Sequence, residues 1–318
     1  MKKAQVLDFK QADQAKRGAA GTDTGSRVER SVQDKSVVKK ADEVAEELHV
    51  EDVEIRLLLE GLFLVYGADF RNYASASLKR RVMESMRIEG LGTVSAYQAV
   101  VLHDRGAMER LLVRLSIHVT SMFRDPSFYL TFRQKVVPLL KTYPSVRIWH
   151  AGCSTGEEVY SMAILLEEEG LLARSKLYAT DISKDVLRRA RDGIFPLAQM
   201  QEYTVNYLRA GGKHQFSDYY TAQYDNVIFH PRLKQNLVFS EHNLVTDSSF
   251  NDFHVVLCRN VMIYFNKTLQ RRVHDLFYQS LVMFGIFGIG NKESLKFTTH
   301  EDAYEPLTEQ DRLYRKIG

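Results

Sequence analysis

The sequence predicts an α/β fold in which a small all-α domain precedes a doubly wound sheet. Short apolar runs bounded by turn residues indicate strands at 146–151, 176–181, 236–240, 253–258 and 285–290, with a return strand at 313–317. Helical periodicity lies between these runs, in helices that begin near Glu157, Ser183 and Lys267. Strands that alternate with helices in this way are typical of a doubly wound sheet.

The first third of the chain carries no strand signal. Residues 1–44 are polar, with scattered charge and a single aromatic residue, Phe9, so we expect a flexible polar arm. A helical domain is expected at 45–125 and the sheet domain at 126–318. Within the sheet domain, a stretch at about 205–238 is rich in Tyr and Gly. It is long enough to hold an inserted small antiparallel β-subdomain instead of a bare loop.

Composition places the chain among ordinary soluble proteins, with 45% hydrophobic and 26% charged residues. Cys153 and Cys258 each follow or end a predicted strand, so we expect buried free thiols in a reducing cytoplasm. The longest apolar run, Leu57 to Val65, is interrupted by Glu60 and is too short to span a bilayer. We therefore expect a cytoplasmic protein without membrane insertion.

The net charge of +3 is confined to one segment. Residues 1–44 hold ten Lys and Arg against seven Asp and Glu, which leaves 33 of each in the rest of the chain. This balance argues against a globally basic nucleic-acid binder, and we expect no nucleic acid as a partner. It leaves room for local basic patches.

The turn from Gly152 to Gly156 is, by itself, a weak indication of a ligand. Such a turn between strand and helix lets a ligand approach backbone N–H groups. Glu157 and Glu158 open the following helix, and two acids there repel a phosphate, so the ligand should present a positive group. The alternative is an ordinary strand-to-helix turn.

Three further positions carry polar groups beside predicted strand ends. Asp181 ends the second strand, where a carboxylate binds ribose hydroxyls in such folds, although it could equally cap the next helix. The run Cys258 to Phe265 ends the fourth strand with Arg, Asn and Tyr, which favours a site over a structural polar network. Arg124, near the domain junction, is equally consistent with a domain clamp and a ligand contact.

Taken together, these motifs resemble the chemotaxis receptor glutamate methyltransferases, the CheR family. Residues 151–161, AGCSTGEEVYS, are similar to that family's ACSTGEEPYS signature, with Val159 in place of Pro. Residues 258–265, CRNVMIYF, match its most distinctive run. The segments 123–126, 180–183 and 243–244 also resemble family motifs and occur in the expected order along the chain. The resemblance covers the chain from about residue 50 to its C-terminus.

The resemblance implies a Rossmann-like methyltransferase sheet that uses S-adenosylmethionine, releases S-adenosylhomocysteine and holds no metal. It implies that Arg259, Tyr264 and Arg124 face the methyl group and the incoming glutamate as catalytic residues. The implied cofactor-binding residues are His118, Thr120, Arg124, Gly152, Glu157, Asp181, Asn243, Leu244 and Asn260. The charge argument agrees, because this cofactor carries a sulfonium and an ammonium but no phosphate.

The implied partner is the helical cytoplasmic region of methyl-accepting chemotaxis receptors, bound by a monomer. Lys79, Arg80 and Arg87 lie on a short predicted helix whose apolar stripe would dock it and leave its basic face free for acidic receptor helices. The alternative for these charges is a solvated surface.

Two departures from the family pattern concern the site. His118 stands where many members have Asn, and Gly290-Asn291-Lys292-Glu293-Ser294 replaces the commoner G-H-S-E. The competing hypotheses are a related methyltransferase with another protein or small-molecule acceptor, such as an amine, and a cofactor-sensing module without activity.

Overall fold

The computed structural model describes residues 50–115, 120–296, 298–308 and 310–318. The arm predicted at 1–44 and the predicted site residue His118 lie outside these ranges. No helix in the described ranges is long and apolar enough to cross a membrane.

Four helices occupy residues 50–115. They are α1 Val50–Tyr66, α2 Ser75–Ile88, α3 Val94–His103 and α4 Arg105–Leu115. Their apolar stripes enclose a core that includes Leu58, Val82, Tyr97 and Leu111, all fully buried. The Tyr97 hydroxyl shares a 2.6 Å hydrogen bond with the Ser85 hydroxyl inside this core. The prediction of a small all-α domain is confirmed.

Among the described residues from 120 to the C-terminus, ten strands form two sheets. They are β1 Val146–Ala151, β2 Ser175–Asp181, β3 Ile194–Pro196, β4 Tyr220–Gln223, β5 Asn226–Phe229, β6 Leu237–Glu241, β7 Phe253–Cys258, β8 Leu281–Ile289, β9 Tyr304–Thr308 and β10 Leu313–Lys316. The larger sheet has the order β6-β2-β1-β7-β8-β10-β9. Its first five strands in that order are parallel, and β10 is antiparallel to both of its neighbours. The predicted doubly wound sheet is confirmed.

Helices cover both faces of this sheet. They are α5 Pro126–Thr131, α6 Val137–Leu140, α7 Glu157–Glu168, α8 Lys184–Asp192, α9 Met200–Arg209, α10 Pro231–Lys234 and α11 Lys267–Ser280, with a π-helical segment at Phe132–Val136. Successive strand residues point to opposite faces. Ile148 and Val255 therefore join one buried cluster, while Trp149 and Val256 join the other. Both faces are covered, which explains why β1 and β7 carry buried apolar residues on both sides.

The smaller sheet, ordered β3-β5-β4, is the predicted antiparallel unit. Its first strand begins at Ile194, ahead of the expected start near 205, and α9 lies between its first two strands. Glu168 at the end of α7 fastens this unit to the main sheet. Its carboxylate accepts hydrogen bonds from the hydroxyls of Tyr207 and Tyr219 and pairs with Arg133.

The helical domain is joined to the loop that follows β7. Ala74 N–H donates to the Tyr264 carbonyl at 2.8 Å, and Asn266 N–H donates to the Asn72 carbonyl at 2.8 Å. Between these bonds the rings of Tyr73 and Phe265 meet edge to face, with centroids 4.9 Å apart. This seam places the loop between the two domains.

The buried imidazole of His274, on α11, makes stability depend on pH. Burial lowers the pKa of His274 to about 4, from 6.5 for an unperturbed side chain. The unfolded chain therefore takes up the proton first, so this contribution is complete above pH 6.5 and is lost as the pH falls through 4.

We expect His274→Gln to flatten this dependence by about 2–3 kcal/mol between pH 7 and pH 4.5, since each pKa unit is worth about 1.4 kcal/mol. Urea unfolding at both pH values measures the difference between wild type and variant. His214→Gln, at an exposed position, is the control and should follow wild type. Equal slopes for wild type and His274→Gln would contradict the prediction.

Candidate active site

A pocket opens at the carboxyl ends of β1, β2, β6 and β7, the edge at which sheets of this kind bind ligands. Its empty volume is about 1020 Å³, with the solvent space at its mouth included. The predicted site residues in its wall are Thr120, Arg124, Gly152, Asp181, Asn243, Leu244, Arg259, Asn260 and Tyr264. The wall also contains Tyr73 and Glu158, whereas the predicted Glu157 is not part of it.

The glycine turn after β1 is shaped by the loop that follows β7. Gly152 has φ 74°, and a Cβ added to it would lie 2.6 Å from Cγ2 of Val261. The N–H groups of Gly152 and Cys153 both donate to the Thr180 carbonyl, at 2.8 and 2.9 Å. Only glycine adopts this positive φ without strain and leaves room for Val261. The packing of the loop after β7 therefore requires glycine at position 152.

Asp181, at the end of β2, connects the turn to the next helix. Its carboxylate accepts from Ser154 N–H at 2.9 Å and from Ser183 N–H at 3.0 Å. The second bond goes to the N-cap residue Ser183, ahead of the helix Lys184–Asp192, so it is a turn contact and does not cap that helix. Asp181 also lines the pocket, as a ligand-binding residue would.

The two acids that open α7 have different surroundings. Glu157 is buried and accepts from the Thr155 hydroxyl at 2.6 Å, and burial raises the pKa of its carboxyl. Glu158 lines the pocket and contacts His150 Nδ1 at 2.9 Å. Burial acts to raise the pKa of Glu158, but His150 and Arg259 together lower it. Of the two acids, Glu158 is therefore the one in the pocket wall, where its carboxylate contacts His150 and Arg259.

Arg259 is engaged by the protein itself. Its side chain is 2% exposed and forms ion pairs with Asp125 at 2.7 Å and Glu158 at 3.0 Å. It also donates to the Arg124 carbonyl at 2.9 Å, and its guanidinium lies 4.1 Å from the centre of the Phe128 ring. Arg259 therefore links Arg124 and Asp125, at the junction between the two domains, to Glu158 of the sheet domain.

Tyr264 lies where the two domains meet the pocket. The Arg81 guanidinium is 5.3 Å from the centre of its ring, within cation–π range, and donates to the Leu115 carbonyl at 2.5 Å. Tyr73 lines the pocket from the helical domain, and burial raises the pKa of its hydroxyl, so it stays neutral. The sequence did not indicate Tyr73, because its role depends on domain packing.

Glu293 holds the loop after β7 in place. Its buried carboxylate accepts from four backbone N–H groups, those of Gly290, Asn260, Val261 and Met262, at 2.6, 3.0, 3.0 and 2.8 Å. Asn260 has φ 61°, and a Cβ on Gly290 would lie 2.8 Å from its backbone nitrogen. The departure noted at 290–294 thus keeps the Gly and Glu of G-H-S-E and changes only the two residues between them.

The pocket suits a ligand with positive groups, ribose hydroxyls and a planar ring. Glu158 and Asp181 provide acceptors, and Leu244, Val245 and Phe265 provide apolar wall. This set of groups fits S-adenosylmethionine, and no phosphate is needed to explain it.

We expect Glu293→Gln to lower the free energy of unfolding by about 1–3 kcal/mol, because it leaves buried N–H groups without acceptors. Denaturant unfolding measures the change. Glu202→Gln, at an exposed position of α9, is the matched control and should cost less than about 0.5 kcal/mol. If Glu293→Gln were as stable as that control, the four hydrogen bonds would not hold the loop.

Comparison with known proteins agrees with this geometry. The CheR methyltransferase SAM binding domain matches residues 118–311, and the CheR methyltransferase all-alpha domain matches residues 54–116. The chain is 52% identical over 265 residues to a Pseudomonas putida protein named "Putative methyltransferase Cher3", covering 83% of this chain and 97% of that protein.

More distant relatives are named chemotaxis protein methyltransferase. The Salmonella typhimurium protein is 26% identical over 271 residues, covering 81% of this chain and 90% of that one. The Listeria monocytogenes protein is 26% identical over 231 residues, covering 72% and 85%. With both of its domains matched, the chain belongs to the CheR methyltransferase family, and S-adenosylmethionine is its cofactor.

Proposed function

We propose that this protein transfers a methyl group from S-adenosylmethionine to glutamate side chains of methyl-accepting chemotaxis receptors, forming methyl esters. The observation that carries the proposal is the place of Tyr264 in the pocket wall, at the seam with a helical domain that bears a basic helix. Similarity to relatives named chemotaxis protein methyltransferase supports it. We further propose that it acts in the cytoplasm, as a monomer, on the helical region of the receptor.

We assign the cofactor-binding roles to residues that line the pocket. S-adenosylmethionine supplies an electrophilic methyl group on a sulfonium. Asp181 would hold the ribose, and Asn243 with Leu244 would flank the adenine. Thr120, Gly152 and Asn260 would line the methionine end. We assign the acid near the positive groups to Glu158 in place of Glu157, because Glu158 is the one in the wall.

The acceptor needs no general base. A glutamate carboxyl has a pKa of about 4.3 and is already ionised at neutral pH. Catalysis then rests on alignment, which can supply about 7–11 kcal/mol in favourable cases. We propose that Arg124 orients the acceptor carboxylate and that Tyr264 sets its line of approach.

Arg259 takes a different role from the one that the resemblance implied. Its charge is already compensated by Asp125 and Glu158, so we propose that it positions Arg124 and the cofactor wall. An uncompensated cation in its place would bind the acceptor carboxylate tightly and weaken it as a nucleophile.

The basic helix α2 presents fewer free charges than its sequence suggests. Lys79 pairs with Asp52 at 2.7 Å and with Glu51 at 3.3 Å, within the helical domain. Arg80 and Arg87 are exposed and form no ion pair among the described residues. We propose that Arg80 and Arg87 attract the acidic receptor helix, with Lys79 contributing less.

The central test is methyl transfer to a purified receptor, followed by release of methanol in base, because only a carboxyl ester releases it. We expect Tyr264→Phe to lower kcat by roughly ten-fold, about 1.4 kcal/mol, and to leave cofactor affinity within about two-fold. Tyr224→Phe, at a position 90% exposed, is the control.

The outcomes separate the hypotheses. A methyl product that is stable to base would indicate an amine acceptor, and cofactor binding without transfer would indicate a sensing module. A parallel loss of rate and cofactor affinity in Tyr264→Phe would make its role structural.

We expect Arg80→Glu with Arg87→Glu to raise the KM for receptor several-fold and to flatten its salt dependence, because exposed charges act over about 8 Å at physiological ionic strength. Steady-state kinetics across a salt series measures both. Lys135→Glu with Lys176→Glu, two exposed lysines without ion pairs among the described residues, makes the same change in net charge. A KM and salt slope equal to those of this control pair would leave α2 as solvated surface.

A further inference from the structure

A second cleft, which we name the C-terminal groove, lies between the start of α11 and residues 292–296 and 298–299. Its empty volume is about 1300 Å³, with open solvent included. It is lined by Met262, Ile263, Lys267, Gln270, Arg271, His274, Lys292, Glu293, Ser294, Lys296, Thr298 and Thr299. The loop after β7 separates the groove from the active pocket, since Val261 and Tyr264 face the pocket while Met262 and Ile263 face the groove.

The C-terminal groove carries four positive charges that form no ion pair with the residues that the structure describes. Lys267 and Arg271 lie on α11, and Lys292 and Lys296 lie on the opposite segment. All four are exposed, and none forms an ion pair among the described residues. The one acid in the lining, Glu293, is 5% exposed and committed to four backbone N–H groups. Residues 45–318 are neutral overall, so this concentration of charge is local.

The groove is not built as a site for a single phosphate. The start of α11 is already capped, because Leu269 N–H donates to the Asn266 side chain at 2.9 Å. The Gln270 amide donates to the carbonyls of Met262 and Phe265, both at 3.0 Å. The four cations belong to two segments of the chain and are exposed, and the lining also includes the partly buried Ile263. Dispersed cations over a partly apolar floor suit a series of carboxylates on a polypeptide.

The groove is also close to the active pocket. Val261, in the pocket wall, and Ile263, in the groove wall, are two residues apart in sequence. Their Cα atoms are therefore at most about 7 Å apart. A partner that places one glutamate in the pocket has neighbouring side chains within reach of the groove.

We propose that the C-terminal groove docks an acidic stretch of the acceptor protein while one of its glutamates occupies the active pocket. This inference rests on the proposed function, which supplies an acidic protein as acceptor. The groove adds a second contact to α2 and belongs to the other domain. It contributes to binding and orientation and takes no part in the chemical step.

The direct test is binding of fluorescein-labelled poly-L-glutamate of about twenty residues to the full chain, measured by anisotropy at low salt. Lys267→Glu with Arg271→Glu changes one wall, and Lys292→Glu with Lys296→Glu changes the other. We expect each pair to weaken binding by about five-fold or more. Lys135→Glu with Lys176→Glu is the control for net charge and should stay within about two-fold of wild type.

Receptor kinetics completes the test. Each groove pair should raise the KM for receptor and leave kcat and S-adenosylhomocysteine affinity unchanged, because the altered side chains lie outside the active pocket. If either groove pair bound poly-L-glutamate as tightly as the control pair does, the proposed docking role of the groove would be wrong. Tripolyphosphate binding that both pairs abolish while poly-L-glutamate binding is kept would also contradict that role, since that result indicates a small-anion site. Absence of methyl ester with wild type would overturn the proposed function instead, and the peptide titration would still report on the groove.

Discussion

The carboxylate of Glu293 is the constraint on which the site depends. A buried acid that accepts from three consecutive N–H groups, those of residues 260–262, forces the chain after β7 to fold back on itself. The left-handed Asn260 is one consequence of that path. Val261 then packs against Gly152, and Tyr264 and Phe265 contact the helical domain. One carboxylate thus sets the pocket wall, the glycine turn and the domain seam together.

Arg259 fixes the same region from the other side. Removing one partner of a buried ion pair typically costs about 3–5 kcal/mol, because the remaining charge is left in an apolar setting. Asp125, just before α5, and Glu158, on α7, both pair with the guanidinium of Arg259, so its buried charge is compensated. The arrangement leaves Arg259 with little unpaired charge toward the pocket, which is consistent with the positioning role that we propose for it.

Sequence patterns were most informative where both faces of an element are buried. The strands Val146–Ala151 and Phe253–Cys258 were predicted at their observed bounds, because apolar residues on both faces, followed by turn residues, leave little choice. The edge strand Tyr304–Thr308 was missed, because Pro306 and its exposed neighbour Glu305 remove that signal. In the site, the motifs indicated most of the pocket wall. They could not distinguish Glu157 from Glu158, or assign Glu293, because those roles depend on contacts across 101 and up to 33 residues.

The charged residues of the pocket wall differ from the exposed charged residues in how their charges are balanced. The pocket wall sets Glu158 and Asp181 against Arg124 and a compensated Arg259, so the reaction site is close to neutral. The free cations lie outside it, on α2 and in the C-terminal groove, where salt screens them readily. Overall neutrality of residues 45–318 conceals this separation, because composition adds charges without regard to place. Binding that depends on the exposed cations should therefore vary with ionic strength more than binding that depends on the paired charges of the pocket wall.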